Sequence, residues 1–515
     1  MTPYLLLKVN GVPIAARGGN WGMDDSRKRV SREKLEPYFR LHRDAHVNII
    51  RNWVGQNTEE TFYELADEYG LMVWNDFWAS TQEYNLEPLD IPLFLANVRD
   101  TILRYRNHPS IVMWCGRNEG VPSPILNQGI IELATSLDGT RYYSPSSNQV
   151  GLQNSGPYKF QQPSLYFTTL NHGFSVETGT PSLSTLESFS SWIAEADQWP
   201  IGDAWAYHDW HQSGNGEIEP FMKELESQFG AGTSLEDFER KAQMLNYTQH
   251  RAIFEGMNAH LWAPNSGRML WMTQPAWPST MWQIISSDYD TQASFYGVKK
   301  ACEPLHVQLD LSDHSVAVVN TTTVAQPGMT ITANVYGLDN KNLLHHEEPK
   351  DVAANALTPG FRLDLEPLLT KPDPLPSDRV VFVKLELRNS AGQLVSDNLY
   401  WLGAASASYR QLTRLPAATL TASATWMRAG NTGHIHVQLV NEGNAAALEN
   451  KLTLVNARDK LRILPAYYSD NYVSLLPGER REIDIEYPAA AKGEPQLNLR
   501  GWNLSPTTIP ITQAK

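Results

Sequence analysis

Arg106-Asn107-His108-Pro109-Ser110-Ile111-Val112-Met113-Trp114-Cys115-Gly116-Arg117-Asn118-Glu119 contains a five-residue apolar run that stops at a glycine and then presents a carboxylate. Pro109 and Ser110 punctuate its start, and Gly116 and Asn118 its end. Ile111–Cys115 therefore reads as a short, fully buried strand. A second run, Gly173-Phe174-Ser175-Val176-Glu177-Thr178-Gly179, also delivers a glutamate at its end.

Outward from these two runs, residues 1–303 alternate strand-like and helix-like segments. Strands are expected at Pro13–Asn20, Val47–Val54, Leu71–Phe77, Ile111–Cys115, Tyr142–Ser147, Gly156–Phe160, Phe174–Val176 and Met269–Gln274. Helices are expected at Ser31–Asp44, Glu59–Tyr69, Leu93–Tyr105, Leu126–Leu137 and Thr185–Ala194, with a long one from Ser234 to about Trp262. The alternation predicts a parallel sheet, and eight strands predict a closed (β/α)8 TIM barrel. The competing fold is an open doubly wound sheet, but no early Gly-rich phosphate turn supports it. Two carboxylic acids at the carboxyl ends of two barrel strands are what retaining glycoside hydrolysis requires.

The pattern changes near Glu303 to short alternating strands, including Val307–Asp310, Thr330–Val335 and Arg379–Leu387. A break at Thr413-Arg414-Leu415-Pro416 precedes a second such series. The expected organisation is a barrel over 1–303 followed by two immunoglobulin-like β-sandwiches, 304–413 and 414–515.

A chain of 515 residues is too long for one core, so several domains are expected. The net charge of −14 argues against a nucleic-acid or anionic-membrane partner, and no apolar run approaches a membrane span. Met1–Lys8 lacks the basic start of a signal peptide. Cys115 and Cys302 cannot build a disulfide framework, and Cys115 reads as a core residue. Without HExxH, a Cys pair or an Asp-rich loop, no metal and no cofactor is expected. His345-His346 reads as a surface loop of the first sandwich. Thirteen of the 16 tryptophans precede residue 304, which puts the aromatic load in the barrel. Most of them should fill the core, and a few should line a sugar-binding cleft.

The run from Arg106 to Glu119 resembles the acid/base signature of glycoside hydrolase family 2, in its β-mannosidase-like branch. Gly18-Gly19-Asn20-Trp21 with Asp24-Asp25 resembles that branch's first barrel strand, and Trp271-Met272-Thr273-Gln274 with Trp277-Pro278 its last. Glu303–Leu309, Ser396–Trp401 and Tyr468–Tyr472 resemble the β-domains that follow. Trp205-Ala206-Tyr207-His208, Lys241–Gly256 and Phe295-Tyr296-Gly297 look most like endo-β-mannosidases acting on the Manβ1-4GlcNAc bond of N-glycan cores. The family carries β-domains before its barrel, so the resemblance implies either a truncated form or a separate chain that supplies them. An oligosaccharide substrate is implied, and a periplasmic, extracellular or vacuolar setting suits it.

The resemblance implies Glu119 as general acid/base and Asn118 as the partner of the sugar 2-hydroxyl. Glu177 is the expected nucleophile, its pKa kept down by Arg51; Glu187 is the alternative. The family pattern Ser-Glu-Phe-Gly is here Val176-Glu177-Thr178-Gly179. Trp271 is expected to floor the sugar site, with barrel packing as its competing role. Asp24, Trp53, Asn75, Asp76, Trp78 and His208 are expected to line the cleft. A carboxyl separation of roughly 5–5.5 Å is predicted, which means retention through a covalent glycosyl-enzyme. Exo-β-mannosidase and exo-β-glucosaminidase are the alternative activities, although the latter branch tends to place Asp where Glu119 stands. A non-catalytic carbohydrate-binding or assembly protein is the alternative of another class.

Overall fold

A computed structural model describes residues 4–22, 27–81, 87–170, 172–211, 218–370, 379–489 and 494–513. Seven parallel strands form the barrel sheet: Ala16–Trp21, Ile49–Asn52, Met72–Asp76, Ile111–Cys115, Tyr142–Ser144, Phe174–Thr178 and Gly267–Gln274. The first five pair in chain order, and the last pairs with both the first and Phe174–Thr178. A last strand lying against the first is barrel order, so the doubly wound alternative is excluded.

Gly156–Phe160 is not the strand its sequence suggested. Pro157 has no N–H to give to a ladder, and Gly156 sits at φ +83°, outside strand conformation. The segment still stands where the eighth strand belongs. Gln153 N donates to Phe174 O at 2.7 Å, Gly156 N to Glu177 O at 2.9 Å, and Gly179 N to Pro157 O at 2.8 Å.

The helices begin and end where local chemistry directs. Asp90 caps Ile91–Tyr105 by accepting from Leu93 N, with proline in the first turn. Ser234 caps Leu235–Asn258 through Asp237 N. Glu60–Tyr69 ends on Gly70 at φ +67°. The floor of the barrel is apolar: Ile49, Trp74, Met113, Cys115, Phe174 and Met269 fill it. Phe39, Phe62, Leu65, Val98, Ile102 and Ile130 fill the layer between strands and helices. The polar residues at the upper strand ends thus stand on a dry, packed base.

Two β-sandwiches follow. The first packs a three-stranded sheet against a four-stranded one, and the second a five-stranded sheet against a four-stranded one. His345 and His346 lie on the strand Asn342–Val352, not in a loop. They are exposed because that strand is the edge of its sheet. The helix Leu235–Asn258 is buried along most of its length because both sandwiches dock near it. Arg251 donates to Asn398 Oδ1 at 2.7 Å and to Leu399 O at 2.8 Å in the first sandwich. Arg500 of the second sandwich pairs with Glu239 at 2.9 Å. No helix among the described residues is long and apolar enough to cross a membrane.

Candidate active site

Arg51, at the end of the second strand, organises the site. It is fully buried, and each of its five N–H groups has a partner. Nε and one Nη2 hydrogen reach Asp76, the latter at 2.7 Å. The second Nη2 hydrogen goes to Asn118 Oδ1 at 2.8 Å, and Nη1 serves Asn20 Oδ1 at 3.1 Å and Glu177 Oε1. Burial works against this charge, but Asp76 and Glu177 outweigh it and raise the Arg51 pKa. A guanidinium has only donors, so the Asn118 amide must present its oxygen to Arg51. Its nitrogen therefore faces Thr81, donating to Oγ1 at 2.8 Å, and its second N–H has no partner among the described residues.

Glu177 faces inward because its strand is bulged. Ser175 pairs with Arg268 and Thr178 with Leu270, so three residue steps on one strand match two on the other. Such a bulge re-aims a side chain. Oε1 takes the Arg51 ion pair, and Oε2 accepts from the Tyr158 hydroxyl at 2.6 Å. Burial pushes the Glu177 carboxyl above its ordinary value, with Arg51 opposing the shift and Glu119 adding to it. The expectation of a lowered pKa is therefore corrected: the cost of desolvation exceeds the gain from one guanidinium.

Glu119 sits in the left-handed backbone region at φ +44°, a conformation that costs a non-glycine residue on the order of 1–3 kcal/mol. Its N–H is held there by Ser147 Oγ at 2.9 Å. Oε2 accepts from Thr81 Oγ1 at 3.1 Å, and Oε1 lies 3.1 Å from the Tyr158 hydroxyl. Tyr158 thus bridges the pair. Its contacts of 3.1 and 2.6 Å, laid end to end, cap the separation of those two oxygens at about 5.7 Å, short of the roughly 6.5 Å at which inversion begins. A phenol carries one hydrogen. Both contacts are satisfied together when the carboxyl pair holds one proton, with Glu119 donating to the phenol and the phenol to Glu177.

An aromatic wall stands beside the carboxylates. Trp271 meets Trp53 edge-on at 5.1 Å and packs against Tyr158 and Trp282, each at 6.4 Å. A register shift between Gly19 and Trp21, opposite Leu270 and Gln274, gives the last strand extra residues at Trp271. Gly179 lies against that wall: a Cβ there would fall 2.4 Å from Trp271 O.

Other expected residues lie elsewhere. Asp76 has both oxygens engaged by Arg51, Trp74 Nε1 and Val54 N, so it anchors Arg51 instead of facing a sugar. Asn75 points to the opposite face of its strand, where it binds Asn52 and Tyr63 at 2.8 Å each, because successive strand residues alternate. Trp78 packs on Phe94 and Phe77 at the barrel rim. His208 is held by Pro278 O at 2.6 Å and stacks on Trp277. Asp24 falls outside the described residues. Glu187, the alternative nucleophile, turns to the second sandwich, accepting from Lys451 at 2.7 Å and Arg500 at 3.2 Å. Burial opposes its charge, but Arg500 and Lys451 prevail and hold it well below the usual carboxylate range. Asn20, Thr81, Ser147, Tyr158 and Trp282 were not assigned from sequence. Of these only Asn20, inside the Gly18–Trp21 motif, carried a local signal.

The Tyr158 bridge yields a direct prediction. Tyr158→Phe deletes one hydroxyl and nothing else, and hydrogen bonds to charged groups contribute about 1.5–3 kcal/mol, so kcat should fall roughly 10- to 100-fold. An unchanged kcat would show that the bridge has no part in turnover.

A model of the glycosyl hydrolases family 2 TIM barrel domain matches residues 5–201. The barrel therefore resembles that of glycoside hydrolase family 2. Models of a mannosidase Ig/CBM-like domain and of an exo-β-D-glucosaminidase Ig-fold domain match residues 312–405 and 398–504 of the chain. Over 97% of its length it is 28% identical to a mannosylglycoprotein endo-β-mannosidase of Lilium longiflorum, covering 64% of that protein. Over 98% of its length it is 27% identical to an exo-β-D-glucosaminidase of Streptomyces avermitilis, covering 60% of it. The crystal structure of an Amycolatopsis orientalis exo-chitosanase superposes with a TM-score of 0.88 at 24% identity, over 98% of this chain and 64% of that one, which establishes the shared fold. The chain thus spans less than two thirds of the length of these relatives.

Proposed function

We propose that this chain is a retaining glycoside hydrolase that cleaves β-mannosidic bonds, in N-glycan cores or related oligosaccharides. The observation that carries the reading is the carboxylate pair bridged by Tyr158. Glu177 attacks the anomeric carbon while Glu119 gives its proton to the departing glycosidic oxygen. Glu119 then takes a proton from water, whose oxygen displaces Glu177 and restores the starting configuration. The second amide N–H of Asn118, which has no partner among the described residues, would donate to the sugar 2-hydroxyl, and Trp271 with Trp53 would supply an apolar surface for the ring.

The similarity to the lily endo-β-mannosidase and a glutamate at position 119 favour the mannosidase reading. The second reading is exo-β-glucosaminidase, supported by similarity to the Streptomyces protein and by the second sandwich's match to a glucosaminidase domain. Parallel assays separate them: p-nitrophenyl β-mannoside, p-nitrophenyl β-glucosaminide and a Manβ1-4GlcNAc-containing glycan, with product masses. Turnover of the mannoside or glycan supports the first reading. Turnover of the glucosaminide alone replaces it with the second.

The acid limb of the pH profile is also expected to be displaced. Glu177 attacks only when ionised, and burial holds its pKa above 4.5. Activity should therefore be present at higher pH and be lost as pH falls through a midpoint above that value. An acid-limb midpoint of kcat/KM at or below 4.5 would contradict the nucleophile's burial.

A further inference from the structure

A cavity of about 450 Å3 opens beside the end of the last barrel strand. Trp192, Gln274, Trp277, Lys34 and Asp288 line it, together with Leu464 of the second sandwich. Neither Glu119 nor Glu177 nor Trp271 lines it. Its size falls in the roughly 300–1,000 Å3 range of small-molecule sites.

Two indoles of its wall share one support. Trp277 stacks on His208 at 5.0 Å and 17°, and Trp192 packs on the same imidazole at 4.7 Å. His208 does not line the cavity, so it backs both rings from behind. Its own Nδ1 is anchored at Pro278 O. Tyr207, 72% exposed, meets Trp277 edge-on at 5.4 Å and carries the aromatic edge out to solvent.

The polar groups of the wall are incompletely matched. Gln274 is 2% exposed; its Nε2 donates to Gly22 O, and its Oε1 has no partner among the described residues. Trp192 Nε1 also lacks one. Both atoms are closed to solvent behind the wall, so the polar groups that line the cavity for a ligand include those of Lys34 and Asp288. A hydroxyl is both donor and acceptor. A saccharide adds flat C–H faces that suit an indole.

We propose that this cavity is a second carbohydrate-binding site, distinct from the carboxylate pair, that takes a neutral saccharide unit stacked on Trp277. It would hold a remote part of an extended glycan while the bond is cut elsewhere. Trp192, Trp277, Lys34 and Asp288 are its binding residues, and His208 is a positioning residue.

The test reads binding without turnover, so it stands apart from the proposed hydrolysis. Calorimetric titration of the Glu177→Gln chain with β-1,4-mannobiose and with N,N′-diacetylchitobiose should resolve two sites for at least one probe. Adding Trp277→Ala should weaken one of them by at least about tenfold, or 1.4 kcal/mol, and leave the other. A diazirine-bearing N,N′-diacetylchitobiose gives a readout on the unmutated chain, independent of how the variant folds. Crosslinks at Trp192, Trp277 or Asp288 support the site. Single-site binding with crosslinks confined to the neighbourhood of Glu119 and Glu177 overturns it.

Discussion

Glu177→Gln is expected to lower kcat on an activated aryl β-mannoside by on the order of 10⁴-fold, about 5.4 kcal/mol of transition-state stabilisation. The substitution keeps the shape and the Tyr158 contact but removes the group that bonds to the anomeric carbon. Arg51 then faces a neutral amide, so part of the loss is positional. Glu177→Ala with added azide separates the two contributions. Azide fills the vacated space and attacks the anomeric carbon from that face, giving a glycosyl azide of inverted configuration. Glu119→Ala should behave differently. Its loss falls first on substrates with poor leaving groups, because good ones depart without a proton. With the parent protein, proton NMR of the first-formed sugar should show the β-anomer. A first-formed α-anomer would exclude Glu177 as nucleophile.

The second large effect is on stability. Arg51→Met should destabilise the barrel by about 3–5 kcal/mol, because it strands Asp76 and Glu177 as buried carboxylates with no counter-ion. That is a large share of the roughly 5–15 kcal/mol that holds a typical domain together. Arg51→Lys should recover little. An ammonium offers three donors where five are used, and it cannot span Asp76, Asn20, Asn118 and Glu177 from one point. Urea unfolding of the three proteins, compared at constant slope, checks this. If Arg51→Met unfolds at the same midpoint as the parent, the arginine is not the keystone described above.

The two predictions concern one object read at different depths. The placement of Glu119 and Glu177 was legible because each follows a short apolar run, and a carboxylate at the end of such a run projects from a strand end. Arg51 was legible for the same reason at the end of Ile49–Asn52. Trp53 and Trp271 do meet, at the upper rim of the barrel. Tyr158 was not legible, since it lies on an irregular segment between Gly156 and Lys159 whose local pattern suggests only a weak strand. Asn75 and Asp76 were equally plausible from sequence, being adjacent and polar. One faces Arg51 and the other Tyr63 because the pleat sends neighbours to opposite sides.

His208 shows the limit in another form. Its sequence neighbours suggest a residue reaching into the sugar site, whereas its ring is captured by Trp192, Trp277 and Pro278, two of which lie some 70 residues further along the chain. Glu187 carried the opposite ambiguity. Placed on a helix just after the strand of Glu177, it is drawn away from the site by Lys451 and Arg500, which belong to the second sandwich.

By itself the sequence determined the alternation of strands and helices, the sandwich character of the later residues, and the chemical types standing at the strand ends. Those properties depend on neighbours along the chain, so hydrophobic period and turn residues record them. Tertiary structure alone decided the bulge that turns Glu177 inward, the convergence of five N–H partners on Arg51, the phenol between the two carboxylates and the cavity behind Trp277. Each of these depends on the register between strands that meet across the barrel, and register is set by packing between residues far apart in sequence.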